Sequence, residues 1–141
     1  MQTLFSTPYL TIAHDAATQC IFTTWPGRHS GREKKACCLE VLKRIQLTGS
    51  TKMLSDGTHD LDGWNEVIEW LSREYYDDLV AAGLLATAFV LPHSIRARTD
   101  LYEVLSLVSQ PERTLTNRIA FDTFADVEAA YFWLQNVAVW T

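Results

Sequence analysis

A dense set of titratable side chains follows one short apolar segment near the middle of the chain. Asp56, His59, Asp60 and Asp62 all lie in the sequence DGTHDLD, directly after residues 52–55. In open α/β sheets, ligands and partners bind just outside the carboxyl ends of the strands. If residues 52–55 form a strand, this loop lies at such an end, and we expect any functional site there.

Three roles are compatible with these residue types. A metal site needs several carboxylates or imidazoles that converge on one ion, and a calcium loop needs a longer series of oxygen ligands with a terminal acid. General acid–base catalysis by His59 needs an Asp that the fold places beside it. The third role is structural, because Asp60 or Asp62 can cap the following helix and favour its positive end. We predict capping, with no catalytic residue, no metal and no cofactor.

Two further cations follow the apolar sequence LLATAFVL at residues 84–91. Arg96 and Arg98 should face the same edge of the sheet as the loop. Two guanidiniums there could hold a phosphate or a carboxylate, or they could pair with the loop acids or stay in water. The predicted rim for a ligand or partner therefore comprises Asp56, Thr58, His59, Asp60, Arg96 and Arg98.

Aromatic side chains recur at helical spacing after this loop. Trp64, Trp70 and Tyr75 lie in a helical pattern from about Leu61 to Ala82, with a break near Arg73 to Tyr76. Such aromatic residues either belong to the core or line a pocket for an apolar ligand. The separate histidines His14, His29 and His93 are expected at the surface or half-buried, rather than as metal ligands.

Composition limits the class of protein. The chain has 141 residues and a net charge of −5, which argues against nucleic-acid binding, and its length predicts one domain, residues 1–141.

Three cysteines, two of them adjacent, suit neither a disulfide framework nor a metal site. Free thiols, the absence of a leader and the absence of a membrane-length apolar run predict a cytoplasmic protein. A basic cluster lies mostly on the first helix and is expected to be solvated; its members are Arg28, Arg32, Lys34, Lys35, Lys43 and Arg44.

Hydrophobic periodicity predicts an α/β fold of the order β-β-α-β-α-β-α-β-α. A hairpin of residues 9–14 and 20–25 precedes a helix at residues 31–47, for which Ser30 and Glu33 form a capping-box pattern. Gly49 and Gly83 stand at two helix–strand junctions, as crossover connections require. A helix at residues 100–109, a strand at 117–122 and a helix at 124–137 complete the pattern.

Three segments resemble the STAS-type domains, in particular the bacterial SpoIIAA-like group related to anti-sigma-factor antagonists. They are KMLSDGTHDLDGW, LVAAGLLATAFVLP and IAFDTFADVEAAYFWL, which together cover most of residues 50–136. The resemblance implies a mixed sheet of four or five strands, with helices mainly on one face. It also implies a non-enzymatic module that binds protein partners. Antagonists of this group are phosphorylated on a Ser or Thr after a central strand, so Ser55 and Thr58 are the corresponding candidates here.

Two hypotheses on function follow. The first is a regulatory or scaffold module that binds a protein partner through the predicted rim. The alternative is a carrier of a lipid or another apolar ligand, with a pocket lined by Trp64, Trp70 and Tyr75. Residues 1–52 carry a net charge of +4 and residues 53–91 a net charge of −7, so two subunits could also pair as a homodimer.

Overall fold

A computed structural model of the chain describes residues 1–110 and 118–138. Six strands form one mixed sheet in the order β1-β2-β3-β4-β5-β6. The first three strands pair antiparallel, and β3 to β6 pair parallel. The strands are β1 (Gln2–Thr7), β2 (Leu10–Asp15), β3 (Cys20–Thr24), β4 (Lys52–Asp56), β5 (Ala86–Val90) and β6 (Ala120–Phe124). The predicted α/β class is therefore confirmed, but the sheet has six strands rather than four or five.

The strand that the sequence pattern missed is β1, at one edge of the sheet. Half of its residues are exposed and none is fully buried, so it lacks the alternation that marks a half-buried strand. Its pairing with β2 shifts register between Thr3 and Phe5. Such an irregularity bends an edge strand and makes it a poorer template for pairing with another chain.

The helices occupy four regions of the described chain. They are α1 (Gly31–Thr48), a composite segment, α4 (Ile95–Val108) and α5 (Val127–Asn136). The composite segment consists of a 3₁₀ turn (Asn65–Val67), α2 (Ile68–Trp70), a π-helical turn (Leu71–Tyr75) and α3 (Tyr76–Ala81). None of the helices within the described residues has the length and hydropathy needed to cross a bilayer.

Local signals explain the bounds of α1. The Ser30 side chain accepts a hydrogen bond from the Glu33 N–H, and the Glu33 carboxylate accepts one from the Ser30 N–H, which confirms the predicted capping box. Gly49 ends the helix at a φ of 68°, a left-handed conformation that glycine adopts without a steric penalty.

Other bounds differ from the sequence prediction. The composite segment begins at Asn65 rather than near Leu61, because the chain turns at Gly63 with a φ of 70°. Helix α4 begins at Ile95 rather than near residue 100, since Ser94 caps it by accepting the Ala97 N–H. Strand β6 lies a few residues later than predicted, and the predicted strand start at residue 117 lies outside the described residues.

Period-two alternation along the strands builds a core on each face of the sheet. Ile21, Met53 and Phe89 contribute to the larger core, together with apolar side chains from α1, the composite segment and α4. Leu54 and Ala88 point to the opposite face, where α5 covers them with Ala130 and Leu134. Among the described helices, the three crossover helices therefore share one face, and α5 packs on the other. Lys52 fixes α5 by donating a hydrogen bond from Nζ to the Leu134 carbonyl at 2.7 Å.

Candidate functional site

Three connections meet at the carboxyl ends of the parallel strands. They are residues 25–30 after β3, residues 57–64 after β4 and residues 91–96 after β5, and we refer to them together as the carboxyl rim. The Gly27 N–H donates to the His59 carbonyl at 2.9 Å, and the Leu61 N–H donates back to the Gly27 carbonyl at 3.1 Å. The His93 N–H donates to the Thr58 carbonyl at 3.1 Å. Backbone hydrogen bonds thus join all three connections into one surface.

The first part of the β4 loop is a turn closed by Asp56. One oxygen of its carboxylate accepts hydrogen bonds from the Thr58 N–H at 3.0 Å and from the Thr58 hydroxyl at 2.6 Å. Asp56 therefore holds the loop rather than offering a free carboxylate. Ser55, the other predicted phosphosite, lies within β4, paired with Thr23 of β3 and Phe89 of β5, and both Ser55 and Thr58 are half-buried.

A buried ion pair lies beneath the rim. Lys34 Nζ lies 2.8 Å from Asp60 Oδ2 and 3.0 Å from Oδ1, and both side chains are only 1% exposed. The Gly63 carbonyl also accepts a hydrogen bond from the ammonium, and the Trp64 ring lies 4.2 Å from it. Asp60 therefore anchors the loop to α1 from within the protein and is not available at the rim.

Sequence reasoning missed Lys34, which it grouped with the solvated basic residues of α1. The helical register contains the missing signal. Lys34 precedes Cys38, Val41 and Ile45 on the buried stripe of α1, at intervals of four, three and four residues. A charged residue in an apolar stripe needs a partner of opposite charge, because an unpaired buried charge is costly.

Three further carboxylates, at the rim or next to it, accept hydrogen bonds from backbone N–H groups. Asp62 accepts the His29 N–H at 2.7 Å and contacts the Arg28 guanidinium at 3.1 Å. Glu66 accepts the Gly31 N–H at 3.0 Å. Glu33 accepts the Ser30 N–H. Carboxylates therefore accept the N–H groups of three successive residues, 29–31, where α1 begins.

The predicted capping of the following helix by Asp60 or Asp62 is wrong. Asp100 of α4 occupies that position, because its Oδ2 accepts the Trp64 N–H at 2.9 Å and the Asn65 N–H at 3.0 Å. The turn at Gly63 directs the two loop acids toward α1 instead. Gly63 also lies so close to Asp100 that a Cβ at this position would collide with the carboxylate.

His29 is buried beside this network, which contradicts its predicted surface or half-buried position. Its side chain is 1% exposed and Nε2 lies 4.0 Å from Asp60 Oδ1. Within the described part of the chain, neither ring nitrogen has a hydrogen-bond partner. Burial, and then the nearby Lys34 ammonium, lower the pKa of His29 below its ordinary value.

The predicted cations at the rim do not pair with the loop acids. Arg98 Nε donates to the Pro92 carbonyl at 3.1 Å. Arg96 is exposed and makes no ion pair with any residue that the structure describes. His59 is also exposed, and its ring centroid lies 6.0 Å from that of His93. Asp56, His59 and Arg96 thus do not form one hydrogen-bonded site.

Residues 1–110 and 118–138 offer neither a metal site nor a reactive thiol. These residues contain no group of three or more His, Cys, Asp or Glu side chains placed to hold a metal ion. Cys20, Cys37 and Cys38 are free and buried. Burial raises the pKa of Cys20 to about 12 and also raises the pKa of Cys38. These thiols therefore remain protonated near neutral pH and are poor nucleophiles.

Two spaces adjoin the rim. An apolar cavity of about 30 Å³ lies under Trp64, and Trp25, Tyr75 and Phe89 help to line it. Of the predicted pocket residues, Trp64 and Tyr75 contact this cavity, whereas Trp70 stacks on Tyr75 with ring centroids 5.3 Å apart. A larger space of about 280 Å³, which we call the polar groove, lies between residues 28–33 and 62–67 with Arg96 beside it.

Comparison with known proteins found no matching family model, no similar curated protein and no similar solved structure.

Proposed function

We propose that the chain is a non-enzymatic regulatory or scaffold module that binds an acidic protein partner on the carboxyl rim. The observation that carries this proposal is the division of the rim into two layers. Its carboxylates are bound to groups of the protein itself, since Asp60 is buried against Lys34 and Asp62 accepts a backbone N–H. Its cations reach solvent, since Arg28 is 74% exposed even though it pairs with Asp62, and Arg96 is also exposed.

Exposed apolar side chains accompany these cations. Ile95 is 79% exposed at the start of α4, next to Arg96, and Leu61 is 44% exposed in the β4 loop. Protein interfaces combine apolar contacts with arginine side chains, and complementary charges select the partner. The backbone hydrogen bonds across the rim also hold it in one conformation before binding, which lowers the entropic cost of association.

We propose a module without catalysis because its titratable groups already bind other groups of the protein or lack a partner that would orient them. Asp56, Asp60 and Asp62 are bound to groups of the protein itself. No carboxylate among the described residues lies within ion-pair distance of His59. A general base needs both a free acceptor and a partner that orients it.

The same proposal includes a family, a cellular location and a phosphorylation site. We place the chain among STAS-type domains of the SpoIIAA-like group, on the three segments that resemble them, and in the cytoplasm, because its three cysteines are free thiols. Thr58 is the proposed phosphosite. A phosphate there would displace the hydroxyl from Asp56 and place two negative groups together.

The test is a quantitative pull-down from the native cell extract with matched variants. The double variant Ile95→Asp/Arg96→Glu should lose the partner, because it removes an apolar contact and reverses a charge. Leu47→Asp is the control, since Leu47 is 70% exposed at the other end of α1, away from the rim. Equal recovery of every captured protein by the double variant and by the control would refute the proposal that the rim binds the partner.

The carrier alternative predicts a lipid or another apolar ligand in the purified chain. The apolar cavity of about 30 Å³ accommodates about one or two water molecules, so an acyl chain would have to displace Trp64 or Tyr75. Native mass spectrometry separates the two hypotheses. The binding-module proposal expects the mass of the chain alone, whereas an added mass that organic solvent extracts would favour the carrier.

A further inference from the structure

The polar groove contains groups of both charges whose hydrogen-bonding capacity is not used. Arg96 makes no ion pair with the described residues, and Arg28 uses only one guanidinium nitrogen, on Asp62. Glu66 uses one carboxylate oxygen on the Gly31 N–H, and the Asn65 side chain forms no hydrogen bond within residues 1–110 and 118–138. The groove thus offers cationic donors and a carboxylate acceptor in one space.

The start of α1 does not itself provide an anion site. The N–H groups of His29, Ser30 and Gly31 already donate to Asp62, Glu33 and Glu66. A phosphate would have to displace these carboxylates, which the chain holds at high effective concentration. An anion alone is therefore excluded from the usual position at a helix N-terminus.

The charges that line the groove select the ligand further. Two guanidiniums, Arg28 and Arg96, face three carboxylates, Glu33, Asp62 and Glu66. A small anion inside the groove would meet more carboxylates than guanidiniums, and a small cation would meet two guanidiniums, whereas an acidic protein would contact Arg28 and Arg96 from their solvent-exposed side. A ligand that carries both a carboxylate and an ammonium complements each set at once.

Size and apolar lining narrow the class of ligand. A volume of about 280 Å³ lies at the lower limit of small-molecule sites, which range from about 300 to 1,000 Å³. This space suits a ligand of the size of a free amino acid. Trp64 and Val67 also line the groove and offer an apolar contact for a side chain.

We infer that the polar groove binds a free L-amino acid. Its carboxylate pairs with Arg96, with Arg28 beside it, and its ammonium is held by Glu66 and Asn65. This site shares Arg28 and Arg96 with the proposed partner surface, but amino-acid binding can be measured on the chain alone, so its failure is distinguishable from a failure to bind the protein partner.

The experiment is a ¹H–¹⁵N NMR titration of the full chain with each of the twenty L-amino acids, up to 20 mM. We expect at least one to shift the amide signals of Gly31 and Asn65 in a saturable way. For the best binder, two analogues test the two charges: the acid without its amino group and the amide without its carboxylate. Each should bind at least tenfold more weakly.

Variants locate the site. Arg96→Gln should weaken binding at least tenfold without unfolding the chain, since Arg96 is exposed. Glu66→Gln keeps an oxygen for the Gly31 N–H and should lose the ammonium contact. Arg32→Gln is the control, because Arg32 is exposed on α1 and does not line the groove. The inference fails if no amino acid gives saturable shifts, if the des-amino analogue binds equally well, or if Arg96→Gln binds like the control.

Discussion

Lys34 and Asp60 form an ion pair that is almost completely removed from water, with Nζ 2.8 Å from Oδ2. The pair joins the first turn of α1 to the β4 loop, which lie 26 residues apart in the chain. The pair belongs to the inner, buried layer of the carboxyl rim. Arg28 and Arg96 form the outer layer, which reaches solvent.

Removing the ammonium should therefore be costly. Lys34→Met leaves the Asp60 carboxylate buried without its partner, and breaking such a pair typically costs about 3–5 kcal/mol. Urea unfolding should show this loss of unfolding free energy. The double variant Lys34→Met/Asp60→Leu should recover part of it, because no buried charge remains. A loss below about 1 kcal/mol in the single variant would contradict the buried pair.

The pH dependence of stability should contain a contribution from His29. Burial lowers its pKa below the ordinary value of 6.5, so the unfolded chain binds this proton more readily than the folded chain. The contribution to stability is complete above pH 6.5. It is lost as pH falls below 6.5 toward the lowered pKa, with a slope of at most about 1.4 kcal/mol per pH unit.

Urea unfolding at intervals between pH 8 and pH 5 measures this slope. His29→Gln should flatten it, whatever the variant does to stability at pH 8. The charged groups around the ring, Lys34, Asp60, Asp62 and Glu33, stay in place, so the difference isolates the imidazole. His93→Gln, at an exposed position, should keep the wild-type slope. Parallel curves for all three chains would show that His29 titrates normally.

Asp100 should stabilise the start of the composite helical segment. Asp100→Ala removes the acceptor for the Trp64 and Asn65 N–H groups, and loss of a helix cap costs about 0.5–2 kcal/mol. Hydrogen exchange should accelerate at these two amides. Asp122→Ala is the matched control, since Asp122 is exposed and accepts a hydrogen bond from the next N–H, that of Thr123. Unchanged exchange at both amides would mean that Asp100 is not the cap.

Thr58 provides a test of the proposed phosphorylation switch. Thr58→Glu places a second carboxylate beside Asp56 and removes the hydroxyl that donates to it at 2.6 Å. We expect the β4 loop to loosen, with faster hydrogen exchange at the Thr58 and Gly27 amides and a loss of about 1 kcal/mol in unfolding free energy. Thr58→Gln, which adds bulk without charge, should show a smaller effect. Equal effects of the two variants would remove charge repulsion as the mechanism.

Local sequence signals determined much of the fold. The Ser30–Glu33 capping box and the left-handed turn at Gly49 are decided by residues next to them in the chain, because capping uses neighbouring side chains and backbone. The apolar sequence at residues 84–91 contains β5, which is buried at every position. Such patterns also predicted that the β4 loop follows a strand end.

The inner layer of the rim could not be predicted in the same way. The Lys34–Asp60 contact spans 26 residues, and the Asp100 contact with Trp64 spans 36. Alternation also missed β1, since an exposed edge strand shows no clear hydrophobic period. From the sequence, each carboxylate of the β4 loop therefore has several possible partners. Only the packing of α1 and α4 against that loop determines which partner it binds.

The sequence by itself determined where the polar loop lies, because strand and helix periods depend on neighbouring residues. Only the tertiary structure decided what the loop presents to solvent. The parallel strands follow one another in chain order, so the three crossover helices pack on one face and no reversal of strand order opens a crevice. Helix α1 therefore supplies the buried Lys34 that draws Asp60 inward, and Arg28 and Arg96 remain at the surface.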